Sequence, residues 1–228
     1  MKLAGKVLAL TGSSGALGQA VAATLAGYGA KLALIDHAHM PPADHPPGAL
    51  LYGGIDLAQD SVADLAMQRI VKDAGRLDGL VNVAGGFRWQ TLEGGSLETW
   101  DFMYRINLRT AVASCKAVLP HLPAGGRIVN VAAIAAIQAA AGMGAYAASK
   151  AGIMKLTEAL AEELKNRRIT VNAVLPSIID TPKNRLDMPK AEFSRWVTAA
   201  EIAEVVAFLL SDASGGVTGA LIPVAGRV

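Results

Sequence analysis

The opening 36 residues leave the chain little choice of fold. Lys6–Leu10 is a short apolar run, followed at once by Thr11-Gly12-Ser13-Ser14-Gly15-Ala16-Leu17-Gly18 and then by a helical pattern with Leu17, Val21, Thr24 and Leu25 on one side. Strand, glycine turn and helix in that order form the first unit of a nucleotide-binding α/β sheet. The glycines let backbone N–H groups approach a pyrophosphate at the positive end of the helix. A second strand, Lys31–Ile35, ends in Asp36, 18 residues after Gly18. A carboxylate there accepts hydrogen bonds from an adenosine ribose and repels a 2′-phosphate, which favours NAD(H) over NADP(H).

Further strands are expected at Leu50–Tyr52, Leu80–Val83, Arg127–Val131, Thr170–Leu175 and Ala220–Val224. Helices are expected over Asp60–Ala74, Asp101–Leu119 and Tyr146–Asn166. The result is a doubly wound, seven-stranded parallel sheet with helices on both faces, a single Rossmann domain over residues 1–228. His37–Gly48 is Pro-rich and carries three His with Asp44, but no regular element fixes their geometry, so it reads as a surface loop and no metal is expected.

Composition narrows the function. A net charge of +2 with interleaved signs offers no stripe for nucleic acid and no polybasic segment for a membrane. Ile128–Ser149 is uncharged and long enough to span a bilayer, yet it is mostly Ala and Gly with Asn130 and Gln138 inside, so it reads as buried strand, loop and helix start. The lone Cys115 forms no internal disulfide, and the N-terminal residues lack a signal-peptide pattern. Both point to the cytoplasm.

Within Gly144–Lys150 a phenol and an ammonium stand four residues apart, on one face of a helix. A Lys⁺ held there out of bulk water is expected to lower the Tyr146 pKa, so that the pair exchanges a proton with a substrate atom.

Taken together, the glycine turn, Asp36, Asp56-Leu57, Asn82-Val83-Ala84-Gly85, Asn107, Tyr146 with Lys150, and Pro176–Thr181 resemble the short-chain dehydrogenase/reductase family from Lys6 to the C-terminus. The resemblance implies that Tyr146 is the catalytic acid/base, that Lys150 holds the nicotinamide ribose, and that Asn107 supports a water relay to the lysine. It also implies cofactor contacts at Gly12, Ser14, Ala16, Leu17, Gly18, Asp56, Leu57, Asn82, Ala84, Gly85, Pro176, Ser177, Ile179 and Thr181, although the Asn82 side chain reads first as a tie between adjacent strands. Helix pairs like 101–119 and 146–166 commonly pack against the same pair of a second subunit in this family, which implies a homodimer or homotetramer.

The departures are informative. Ala16 stands where the family has its second glycine, Val83 where it has a second Asn, and Ser177 where it has the Gly of a Pro-Gly pair. The family's catalytic Ser lies 13 residues before the Tyr, and here that position is Ala133. A methyl group donates no hydrogen bond to a substrate carbonyl. Within the family the pattern is most similar to the dihydropteridine reductase branch, which also lacks this serine. The likeness extends through Gly15–Gly18, Val83–Phe87, Ala173–Pro176, Asp180–Arg185, Met188-Pro189, Phe193 and Trp196.

An NADH-dependent reductase of a small planar substrate is therefore the leading reading. A reductase or dehydrogenase of another small carbonyl or alcohol, and a silent redox sensor, are the alternatives. Phe87, Ala133, Met143 and Trp196 are the candidate substrate residues. Pro182–Trp196 is expected to cover the substrate, with Phe193 and Trp196 either stacking on a flat ring or pinning the lid.

Overall fold

The computed structural model describes residues 3–39 and 44–228. Part of the His- and Pro-rich loop, residues 40–43, lies outside that range, as do residues 1–2.

Seven parallel strands form one sheet in the order β3-β2-β1-β4-β5-β6-β9. They are β1 (Val7–Thr11), β2 (Lys31–Ile35), β3 (Leu50–Tyr52), β4 (Gly79–Asn82), β5 (Arg127–Val131), β6 (Thr170–Pro176) and β9 (Leu221–Val224). Parallel strands need crossovers, and their helices cover both faces. The alternation of β1 shows the layering. Leu8 and Leu10 pack with Val21 and Leu25 of α1 (Ala16–Gly27) and with Ile202 and Val206 of α7 (Ala199–Leu210). Val7 and Ala9 face the other way, towards Met67 and Ile70 of α2 (Asp60–Ala74), Val118 of α4 (Thr110–Val118) and Leu160 of α5 (Gly144–Glu163).

The chain order reverses at β1, which pairs with β2 on one side and β4 on the other. Thr11 is opposite both Ile35 and Asn82, so three strand ends open into one crevice.

The sequence expectation of one helix over Asp101–Leu119 needs correction. The helical run begins earlier, as α3 (Leu97–Met103), passes through a π-turn (Tyr104–Arg109) and continues as α4. Hydrophobic periodicity does not register the one extra residue of a π-turn. The second long helix stops at Glu163 instead of Asn166, and Arg168, in left-handed conformation (φ 56°), closes the short 3₁₀ turn after it. Two features were not foreseen. One is α7, although its capping box, Thr198 with Glu201, is a sequence-level start signal. The other is a two-stranded sheet of β7 (Ile179–Asp180) and β8 (Val197–Thr198), which ties the two ends of the segment over the crevice. That segment contains α6 (Pro182–Asp187), capped by Thr181. Among the described residues no helix is long and apolar enough to cross a membrane.

Candidate active site

A cavity of about 830 Å³ runs along the C-terminal ends of the strands, from Asp36 and Asp56 to Tyr146 and Lys150. Its first wall is the glycine turn. Gly12 has φ +67°, and a β-carbon on it would lie 2.6 Å from Ala84 Cα, while one on Gly18 would lie 2.1 Å from the Gly12 carbonyl oxygen. The turn is closed on itself and on the loop after β4, so only backbone fits there. Gly12, Ala16, Leu17 and Gly18 line the cavity.

Asp36 sits beside them and accepts from the Ser14 N–H at 2.8 Å and the Ala38 N–H at 2.9 Å. Ser14 itself does not face the cavity; its hydroxyl is buried without a hydrogen-bond partner among the described residues. Asp56 and Leu57 line the same end. The Asp56 carboxyl is held below its ordinary range, first by the Gln59 amide and then by the Ala58 N–H and Arg105. Arg105, on the π-turn, reaches Asp56 at 2.5 Å and lines the cavity, a residue not singled out from the sequence.

Ala84 and Gly85 line the middle of the cavity, whereas Asn82 does not. Its amide donates to Asn130 Oδ1 at 2.9 Å and to Cys115 Sγ at 3.3 Å, tying β4 to β5 inside the core. Asn107 likewise misses the cavity and is fully buried. It accepts from the Gly86 N–H at 2.9 Å and donates to the Gly86 carbonyl and to Ser149 Oγ, at 3.1 and 3.0 Å. It is the one buried residue of the π-turn.

At the far end Tyr146 and Lys150 share one face of α5 and both line the cavity. Lys150 Nζ donates to the Val131 carbonyl at 2.8 Å, and burial pushes its ammonium down to about 8. Burial also pushes the Tyr146 phenol up, to about 12. This reverses the direction expected from the pairing alone, because desolvation is the largest influence on both groups. Phe87 stands perpendicular to Tyr146, with ring centroids 5.0 Å apart. Ala133, 5 % exposed, also lines the cavity, as do Pro176, Ser177, Ile179 and Thr181.

Two expected substrate residues lie outside the lining. Met143 occupies the N-cap position of α5. Trp196 is 6 % exposed and packs on Phe193, within the covering segment, with centroids 4.9 Å apart.

Comparison with known proteins agrees with this geometry. A family model described as enoyl-(acyl carrier protein) reductase matches residues 12–226. The 3-oxoacyl-acyl-carrier-protein reductase of Thermotoga maritima is 32 % identical over 242 residues, covering 99 % of this chain and 98 % of the relative. A carveol dehydrogenase of Mycobacterium avium solved with NAD superposes with a TM-score of 0.86 at 30 % identity, over 99 % of this chain and 98 % of that one. A blue fluorescent protein from a metagenomic library, solved with NADPH, gives 0.88 at 31 % identity, over 100 % of this chain and 99 % of that one. The chain belongs to the short-chain dehydrogenase/reductase family. It is an oxidoreductase that uses a nicotinamide dinucleotide.

Proposed function

We propose that the chain is an NADH-dependent reductase of a small planar, easily reduced acceptor, with quinonoid dihydropteridine as the candidate substrate. The observation that carries this reading is Ala133 in the wall of the cavity that Tyr146 and Lys150 share. An electron-poor ring needs hydride and a proton but little polarisation of a carbonyl, so a methyl group suffices there.

The glycine turn with Ala16 and Leu17 would hold the dinucleotide pyrophosphate, Asp36 the adenosine ribose, and Asp56 with Leu57 the adenine. Ala84, Gly85 and Lys150 would hold the nicotinamide ribose, and Pro176, Ser177, Ile179 and Thr181 the nicotinamide. That cofactor supplies the hydride. Tyr146 delivers the proton from its hydroxyl, and the Lys150 ammonium steadies the phenolate left behind. Asn107, Asn82 and Ser14 act through backbone and strand positions: Asn107 fixes Gly86, Asn82 fixes β5, and Ser14 anchors Asp36. The carboxylate of Asp36 makes NADH the preferred form. Exposed Tyr104 and Val112 on the π-turn and α4 support assembly as a homodimer or homotetramer through that face. The lone buried thiol Cys115 suits the cytoplasm.

A second reading, reduction of another small carbonyl or oxidation of an alcohol, is favoured by the names of the relatives. Ala133→Ser separates the two. For an easily reduced ring the added hydroxyl changes activity on quinonoid dihydropterin by less than about tenfold, while weak ketone reduction rises. A wild type inert with the pterin, and activated on any acceptor only by Ala133→Ser, overturns the proposal in favour of a silent binding protein.

A further inference from the structure

The loop joining β4 to α3, residues 83–96, is held at more points than a connection needs. Gly86 exchanges two hydrogen bonds with the Asn107 amide. The Arg88 guanidinium stacks on Phe102, 3.7 Å from the ring centroid. The Trp89 indole N–H donates to the Ala141 carbonyl at 3.0 Å, and the Gln90 N–H donates to the Gly142 carbonyl at 2.8 Å. Gly142 has φ +74°, and a β-carbon on it would fall 2.2 Å from Trp89 Cε2. The indole therefore occupies space that any other residue at 142 would fill.

Phe87 lies between these anchors. It is 54 % exposed, yet its ring stands at 87° to Tyr146 and lines the cavity. So exposed an aromatic contributes little to folding by burial. Its backbone is nevertheless fixed on both sides, which leaves a rigid apolar face at the place where an acceptor meets the phenol.

We propose that residues 86–90 form a strap that sets acceptor specificity, in which Phe87 is the wall for a flat ring and Trp89, seated on Gly142, is the positioning residue that holds it. The substrate class here rests on the reading given under Proposed function. Trp89 does not line the cavity, so its influence on turnover passes through Phe87.

The test is steady-state kinetics with NADH and two acceptors, quinonoid dihydropterin and cyclohexanone, together with fluorescence titration of NADH. Trp89→Ala, Gly142→Ala and Phe87→Leu should each raise KM for the pterin by about tenfold or more, with kcat within about threefold. Trp89→Phe should recover most of the loss, NADH affinity should hold in the Trp89 and Gly142 variants, and the Trp89→Ala/Gly142→Ala pair should be no worse than either single change. An equal loss on both acceptors, a fall in kcat alone, or additive effects would overturn the strap. A wild type that reduces cyclohexanone and ignores the pterin overturns the substrate class instead. The ketone then judges Trp89: a raised KM shared by Trp89→Ala and Gly142→Ala upholds its positioning role, and an unchanged KM removes it.

Discussion

The two ends of the cavity are built in different ways. At the adenosine end one short stretch, Thr11–Gly18, does most of the shaping with backbone atoms, and Asp36 is tied to it directly through the Ser14 N–H. At the acceptor end the surfaces come from distant parts of the chain: Phe87 from one loop, Ala133 from another, Tyr146 from α5 and Thr181 from the covering segment. A binding site made of backbone tolerates few side-chain changes and recognises what is common to a cofactor. One made of side chains on separate loops is free to vary with the acceptor.

The sharpest way to break this contrast is Tyr146→Phe, which removes one oxygen at the acceptor end. Turnover should fall by a factor of ~10² or more while NADH titration stays nearly unchanged; unaltered turnover would take Tyr146 out of the chemistry. The converse change is Gly18→Ala, whose methyl meets the Gly12 carbonyl. NADH affinity should drop by about 30-fold, because the turn has to open to admit the methyl. Retained affinity would show that the turn is not what holds the cofactor.

Titration tests the acceptor end without a substitution in the loops. Folded Lys150 releases its proton near 8, below its ordinary 10.5, so between those values the unfolded chain binds more protons and stability rises with pH. Folded Tyr146 keeps its proton to about 12, above its ordinary 10.0, so its contribution falls over that higher window. Between pH 8 and 10, denaturant titrations of the cofactor-free protein should show the wild type gaining on the order of 2 kcal/mol relative to Lys150→Met. A curve shared by wild type and Lys150→Met refutes the burial effect. The smallest effect is cofactor choice. NADH should bind about tenfold more tightly than NADPH, ~1.4 kcal/mol, and Asp36→Ala should narrow the gap. Equal affinities in the wild type would remove Asp36 as the discriminator.

The same contrast explains what was readable in the sequence. The first β-α-β unit, Asp36 and the Tyr146/Lys150 pair depend on spacings within one or two elements, and each stands where its spacing put it. Asn82, Met143 and Trp196 carry no such local signature. For Met143 and Trp196 the choice between ligand and core is decided by tertiary packing, as where the Arg195–Val197 backbone closes on Gly226, whereas the tie from Asn82 to the neighbouring strand at Asn130 matches its sequence reading. Arg105 escaped for the same reason, since Asp56 lies 49 residues from it. The direction of the Tyr146 shift depends on burial, which no i, i+4 spacing reports.

The π-turn at Tyr104–Arg109 gives the molecule an editable residue. Deleting one position there would let α3 and α4 merge into a single regular helix, with a full ladder of hydrogen bonds. The register of everything before it would turn by about 100° about the axis, and Asn107 would release Gly86 and Ser149. The irregular turn thus exchanges regular helix hydrogen bonds for the inward placement of Asn107 against Gly86 and Ser149, an exchange of stability for a site that regularising the helix would undo.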